Sequence, residues 1–309
     1  MQLADRQLFP SVSVGITLNH DTHESAEDLL REAHVAVHRA KQGGRHRFEI
    51  FDAALHQQVV HQLDLEVELR NALQNGEFEP YFQPIVRLED GAIVGHESLL
   101  RWHHPRRGLL APGAFLAVAE ESGCIAQIDW QIFERTCEML ACQPQGDAYY
   151  TINVSPQHFR SPKLARRLLD MIARHGVAPQ RLRVEITESA VLEDPDLVLR
   201  TLNDLREAGV LAVLDDFGTG YSSLSYLHRF PLRCIKIDRS FVEAMRSGQE
   251  GGSEAVIRAV LAMSSALDMD VIAEGIETRQ QQDALLALGC PYGQGFLFSP
   301  PRPASGREE

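Results

Sequence analysis

Short apolar runs alternate along this chain with longer stretches in which apolar residues recur every three or four positions, predicting strands and helices in turn. SVSVGITL (11–18) alternates like a half-buried strand. Ser25-x-x-Asp28 predicts a capped helix start, and Ala26, Leu29, Leu30, Ala33, Val37 and Ala40 then share one helical face. Gly43-Gly44 stops that helix, and Phe48 to Phe51 predict a closing strand. A strand, a helix and a strand in about fifty residues are too few to bury a core alone, so residues 1–52 read as the tail of a larger domain.

A helix at about 55–75 follows, with Leu65, Leu69, Ala72 and Leu73 on one face and Gly76 as its stop; residues 53–61 read as a connecting segment. From Glu79 onward strands and helices alternate. Strands are predicted at 80–86, 93–101, 148–154, 182–187, 210–216, 233–237, 270–274 and 294–298. Eight strands interleaved with helices suit an α/β fold of the closed (β/α)8 TIM-barrel type. Ser161-Pro162 and Asp194-Pro195 predict helix starts, Pro112 falls in the first turn of another, and Gly176, Gly209 and Gly289 predict helix ends. SGQEGGSE (247–254) reads as a flexible loop, HHPRRG as a solvated one, and 302–309 as a C-terminal tail.

Composition narrows the function. The 309 residues are 44% hydrophobic, enough for a barrel of about 250 residues plus a short extra segment. A net charge of −13 argues against non-specific duplex nucleic-acid binding, which needs a basic surface. Cys124, Cys137, Cys142, Cys234 and Cys290 are odd in number and form no CxxC pair, so reduced thiols in a cytoplasmic protein are expected rather than disulfides or zinc. No apolar run reaches the length of a membrane span.

Five of the predicted strands end in charged or oxygen-bearing side chains: VGHESLLRW, YYTINVS, LRVEITE, VLAVLDDFGTG and DVIAEGIE. In a parallel barrel such ends gather at one mouth, so Glu97, Asn153, Glu185, Asp215, Asp216 and Glu274 would converge there. Crowded carboxylates repel one another unless cations sit between them. Asp215 and Asp216 are adjacent, and one carboxylate of such a pair can bridge two metals; alone the pair reads better as a solvated turn, but the preceding VLAVL run, a buried strand, argues against that. Period two puts Glu185 inward and leaves Glu188 at the start of the following segment, where it either holds the Asp215–Gly220 loop or is solvated. Lys236 and Asp238 share a strand face; the lysine suits a water or a phosphoryl oxygen, and an ion pair with Asp238 is the alternative. Glu274 ends a strand, whereas Glu277 falls at a helix start, where an acid simply favours the dipole. Gln83 and Gln294 are strand amides suited to base or sugar edges or to core hydrogen bonds, and Arg101 suits phosphate.

ESLLRW, NVS, EITES, DDFGTGYSSL, KID, AEGIE and QGFLFS, in this order, resemble the EAL family of cyclic di-GMP phosphodiesterases over about residues 62–301. The signature reads ESL, with Ser98 for alanine; Pro291 stands where the family often has aspartate, and Phe296 for a common tyrosine. The first 52 residues resemble the C-terminal end of a GGDEF domain, with His34 and His38 at the usual aspartate and tyrosine. The GGDEF signature loop is not in this sequence, so no cyclase activity is expected of it.

The resemblance implies a barrel whose first strand is allowed to run antiparallel, and hydrolysis of cyclic di-GMP to linear pGpG. The runner-up is a silent cyclic di-GMP receptor or protein-interaction module. Carried over, Glu97, Asn153, Glu185 and Asp215 hold one Mg²⁺ or Mn²⁺, while Asp215, Asp216 and Glu274 serve a second. Lys236 assists the attacking water, and Glu188 steadies the loop after the aspartates, completing a catalytic set with Glu97 and Glu274. Gln83, Leu99, Arg101, Asp238 and Gln294 contact the dinucleotide. The resemblance further implies a homodimer through Tyr221 to Leu227 and a longer parent protein with an upstream sensor domain.

Overall fold

The structure, a computed structural model, describes residues 2–3, 6–7, 12–18, 25–43, 46–51, 53–143, 146–218, 228–245 and 252–304. The chain divides into two compact units, Met1–Asn71 and Ala72–Glu309. In the first, Val14–Ile16 pairs in parallel with Phe48–Ile50, and the helix Ala26–Gln42 connects them. Ser25 caps that helix by accepting the Asp28 N–H, as its spacing predicts. Helix and strand touch at Gly15, where a Cβ would lie 2.2 Å from the Ala33 carbonyl oxygen. Ala36 and Ala40 are buried, but Val14, Leu30, Phe48 and Ile50 remain exposed.

The second unit is a closed eight-stranded barrel. Its strands are β1 (Phe78–Arg87), β2 (Ile93–His104), β3 (Tyr149–Asn153), β4 (Leu182–Thr187), β5 (Leu211–Phe217), β6 (Leu232–Ile237), β7 (Asp270–Ala273) and β8 (Tyr292–Gly293). Strands β2 to β8 pair in parallel with their neighbours, and β1 closes the ring antiparallel to both β2 and β8. The antiparallel first strand follows from its connection. Residues 88–92 form a tight turn, with the Gly91 N–H on the Arg87 carbonyl and φ of +71° at Gly91. So short a link joins strands only as a hairpin, whereas a parallel pair needs a crossover.

The helices that return the chain are α1 (Ile125–Ala141), α2 (Leu164–Arg174), α3 (Pro195–Glu207), α4 (Gly252–Ala266) and α5 (Arg279–Ala287). Phe133, Leu168, Leu202, Ile257 and Leu285 on these helices pack with Ile152, Val184, Leu214, Ile235 and Ala273 on the strands' outer faces, forming the main core. A second, smaller core of Ile85, Tyr149, Val213, Cys234 and Ile272 fills the barrel interior.

Most strand ends lie within three residues of the expectation, and three readings change more. The eighth strand is Tyr292–Gly293, not 294–298. Gly295 passes so close to Ile276 that a Cβ would lie 2.1 Å from its carbonyl oxygen, and the chain then turns through Phe298 N–H and Ser299 N–H onto Gly295. FLF is therefore a packed turn, apolar because Leu297 and Phe298 lie on the core. HHPRRG is not a solvated loop: His103 and His104 extend β2, which pairs with Gly108–Leu110. His104 is buried, and its Nδ1 accepts the Arg106 and Arg107 N–H groups. The Ser161-Pro162 start shifts to Leu164, while Asp194 caps α3 as predicted.

Candidate active site

Strand period two builds the site. On three strands an inner-core residue is followed two positions later by a charged one, Val213 then Asp215, Cys234 then Lys236 and Ile272 then Glu274, and on a fourth the same face runs from Tyr149 through Thr151 to the amide of Asn153. Glu97 stands opposite Gln83 on β1 and opposite Thr151 on β3, while Asn153 stands opposite Glu185. Parallel register thus brings side chains from distant segments to one level.

At the centre lies the Lys236 ammonium, which is fully buried. Its Nζ is 2.7 Å from Glu274 Oε1, 2.8 Å from Glu185 Oε2, 3.0 Å from Glu97 Oε2 and 3.4 Å from Asp215 Oδ1. Burial alone would discharge the lysine, but the surrounding carboxylates hold its pKa well above the ordinary value. One ammonium does not neutralise four carboxylates. Burial and its acidic neighbours raise Glu185 well above the usual range, and burial, relieved in part by Lys236, raises Glu274 to about 8. Glu97 falls below its ordinary value: burial is outweighed by Lys236 and by hydrogen bonds from Asn153 and Gln294. The mouth carries more negative potential than its own cation balances.

The amides order the carboxylates. Asn153 Nδ2 donates to Glu97 Oε1 at 3.0 Å, and Gln294 Nε2 donates to Glu97 Oε2 at 2.7 Å and to Gln83 Oε1 at 2.8 Å. Gln83 in turn donates to the Ser299 carbonyl, so both glutamines belong to a buried network. Ser98, the signature's departure from alanine, points away from the mouth, 3.0 Å from Thr136 Oγ1 on α1, which satisfies its hydroxyl.

After β5 the backbone is held open. Asp216 adopts φ +55° and Gly218 φ +99°, and a Cβ at Gly218 would meet the Phe241 ring at 2.8 Å. Glu188, the first residue of the short helix Glu188–Glu193, accepts the Gly218 N–H at 2.9 Å. Asp238 caps the helix Arg239–Ala244 by accepting the Ser240 N–H, and Lys236 turns to the four carboxylates instead. Arg101, beyond Leu99 on the same face of β2, lies 5.8 Å over the Tyr81 ring. Tyr221 to Leu227 lie outside the described residues.

Glu97, Glu185 and Asp215 present carboxylate oxygens within 4.8 Å of one another, and so do Asp215, Asp216 and Glu274. The donor set is oxygen throughout, as hard divalent cations require. Glu185 Oε1 is buried with no hydrogen-bond partner, an orphaned acceptor of the kind a cation would satisfy. Residues and chemistry therefore fit a divalent metal. Beside them opens a cavity of about 290 Å³ lined by Gln83, Leu99, Asp215, Glu274, Gln294 and Phe296. Arg239 and Glu243 also line it and were missed by sequence reasoning, since they lie on a helix after β6 with no motif of their own, and Phe296 was noted there only as a departure from the family's tyrosine.

The EAL domain family matches residues 66–301. The chain is 36% identical over 310 residues to NbdA, a cyclic di-GMP phosphodiesterase of Pseudomonas aeruginosa, covering 99% of this chain and 39% of that protein. It is 35% identical over 306 residues to MucR of the same organism, a bifunctional diguanylate cyclase and cyclic di-GMP phosphodiesterase, covering 98% and 44%. This chain thus spans less than half the length of either relative. Among solved structures, the PaMucR phosphodiesterase in complex with c-di-GMP superposes with a TM-score of 0.74 at 37% identity, covering 78% of this chain and 98% of that one. Bd1971, an EAL enzyme bound to cAMP and cyclic di-GMP, superposes with a TM-score of 0.77 at 33% identity, covering 92% and 75%. Barrel, mouth and motif order agree with that match, and the chain belongs to the EAL domain family.

Proposed function

We propose that this chain hydrolyses one phosphodiester bond of cyclic di-GMP to give linear pGpG, with two Mg²⁺ or Mn²⁺ ions as cofactors. The observation that carries this reading is the intact mouth: Lys236 ringed by Glu97, Glu185, Asp215 and Glu274, with Asn153 and Asp216 beside them. The relatives named as cyclic di-GMP phosphodiesterases support it. Glu97, Asn153, Glu185 and Asp215 would hold one cation, and Asp215, Asp216 and Glu274 the other. Divalent cations supply Lewis acidity toward a phosphodiester and acidify water.

The chain's own residues do the rest. Lys236, held positive by its neighbours, places N–H donors where negative charge develops on the phosphoryl group. Glu274, whose carboxyl burial raises to about 8 in the absence of cations, would give up its proton on holding one. Gln83 and Gln294 fix the wall on which the dinucleotide rests, together with Leu99, Arg101 and Asp238. Glu188 keeps the backbone open after the aspartate pair through Gly218.

Residues 1–52 are read as the C-terminal remnant of a GGDEF domain, supported by the alignment of nearly the whole chain with MucR and by the exposed Val14, Phe48 and Ile50. The greater length of the relatives supports a longer parent protein with an upstream sensor. The homodimer through Tyr221 to Leu227 rests on the family resemblance. No helix among the described residues is long and apolar enough to cross a membrane.

The deciding experiment incubates the purified protein with cyclic di-GMP and either Mg²⁺ or Mn²⁺ and separates the products by chromatography. Linear pGpG is expected, and its formation stops with EDTA. Binding of cyclic di-GMP without pGpG under either metal would turn the reading to a silent receptor.

A further inference from the structure

Asp129 is a carboxylate buried in α1, apart from the mouth cluster and only 7% exposed. An ionised group buried this deeply costs several kcal/mol unless it is fully hydrogen-bonded, so its partners are informative. Its Oδ2 accepts the Ser155 backbone N–H at 3.3 Å and a hydrogen bond from His158 Nε2 at 3.1 Å. His158 is 6% exposed and is clamped by aromatic rings, edge-on to Trp130 at 5.3 Å and tilted against Phe133 at 5.8 Å. The Arg167 guanidinium covers the outer face of Trp130 at 3.8 Å.

What this pair grips is the backbone directly after Asn153. Val154 N–H, one residue on, continues the β3–β4 ladder by donating to the Glu185 carbonyl at 2.9 Å. Ser155 N–H, the next, leaves the ladder and turns to Asp129. The short 3₁₀ turn Pro156–Arg160 then carries His158 back to the same carboxylate. Asn153 itself is an exposed side chain at a strand end, where an amide has several rotamers of similar energy. It is nonetheless directed at Glu97, with Nδ2 3.0 Å from Oε1. Its strand is paired with β2 up to Ile152 and with β4 at Glu185, and just past the strand end the Asp129–His158 pair holds the turn.

We infer that Asp129 and His158 are positioning residues of the mouth: they lock the Asn153–His158 turn so that the Asn153 amide meets Glu97 and presents its oxygen to a divalent cation. The inference rests on the metal site proposed above. Neither residue touches the mouth, so the effect passes through the backbone of residues 153–155. Partners that orient a ligand without touching the ligand sphere typically contribute about 10- to 100-fold in metal affinity.

Titration of metal-stripped protein with Mn²⁺ in a calorimeter, independent of turnover, tests it. Asp129→Ala is expected to weaken Mn²⁺ binding by about tenfold or more. Asp129→Asn keeps an acceptor for Ser155 N–H and is expected to retain most of the wild-type affinity. At saturating Mn²⁺, KM for cyclic di-GMP in Asp129→Ala should return toward wild type, since the dinucleotide wall is untouched. Should Asp129→Ala not fold, His158→Ala takes its place with the same expected loss. A variant that melts lower yet binds Mn²⁺ as tightly as wild type would reduce the pair to a structural role and overturn the inference. Wild-type protein that takes up no Mn²⁺ at all would instead remove the metal site on which it depends.

Discussion

The two ends of the barrel interior are built on the same strands, two residues apart, and behave as opposite kinds of matter. At the lower level Ile85, Tyr149, Val213, Cys234 and Ile272 form a packed, mainly apolar plug. Tyr149 lies so tightly against Gly95 that a Cβ there would meet its ring at 2.6 Å, and the Arg183 guanidinium stacks on the ring at 3.4 Å. One step higher, Asp215, Lys236 and Glu274 succeed Val213, Cys234 and Ile272. There four carboxylates share a single ammonium. The plug gains stability from each methylene that it removes from water. The mouth gives stability up, because charges taken out of water are compensated only partly. A barrel can place reactivity at one level because the level beneath it, and the shell outside it, hold the strands in register.

The contrast is sharpest under mutation. Glu97→Ala should reduce turnover of cyclic di-GMP by about a thousandfold, the scale expected when a group acting on developing charge is lost. Its melting temperature should fall less than that of the plug variant below, since Lys236 keeps its contacts with Glu185, Asp215 and Glu274. A Glu97→Ala protein with wild-type rates would dissolve the metal assignment. Ile85→Ala, at the plug, should do the reverse. It is expected to cost about 2–5 kcal/mol in denaturant unfolding, because a fully buried side chain leaves a cavity, while the folded protein turns over substrate nearly as before. If both variants lost stability equally, the two levels would not be distinct.

Smaller effects test the rim and the outer shell. Glu188→Ala removes the acceptor of the Gly218 N–H, and the loosened backbone after the aspartates should slow turnover about tenfold. Unchanged kinetics would make that contact incidental. The thiols separate by burial alone: burial pushes Cys137 and Cys290 up to about 12, whereas Cys142 is exposed. A thiol reagent near pH 8 should label Cys142 within minutes and reach the two raised thiols only after denaturant is added. Equal labelling in the native protein would mean that the outer shell opens readily.

How much was legible beforehand varied with the kind of signal. LRVEIT was placed to the residue, the six other matched strands to within three residues at either end, and Asp194-Pro195 marked the start of α3. GQGFLF failed because its apolar residues pack from a turn that Gly295 permits, and hydrophobicity alone does not separate a packed turn from a strand. HHPRRG failed because the partner that makes a strand of His103–His104 comes after the turn, at Gly108–Leu110. Glu97, Asn153, Glu185, Asp215 and Glu274 were legible as a set, since each ends an apolar run. Their depth was not: a carboxylate expected at a surface mouth proves to be buried, as Glu97 and Glu185 are.

By itself the order of apolar and polar residues determined the barrel class, the strand levels and which side chains share the mouth. These follow from periods of two and 3.6 that every strand and helix obeys locally. Only the tertiary structure decided that Lys236 sits inside the carboxylate ring rather than beside Asp238, that Gln83 and Gln294 join across the seam of β1 and β8, and that Asp129 reaches the turn after Asn153. Those contacts span residues far apart in the chain, and their geometry exists only once closure of the barrel has fixed the register between strands.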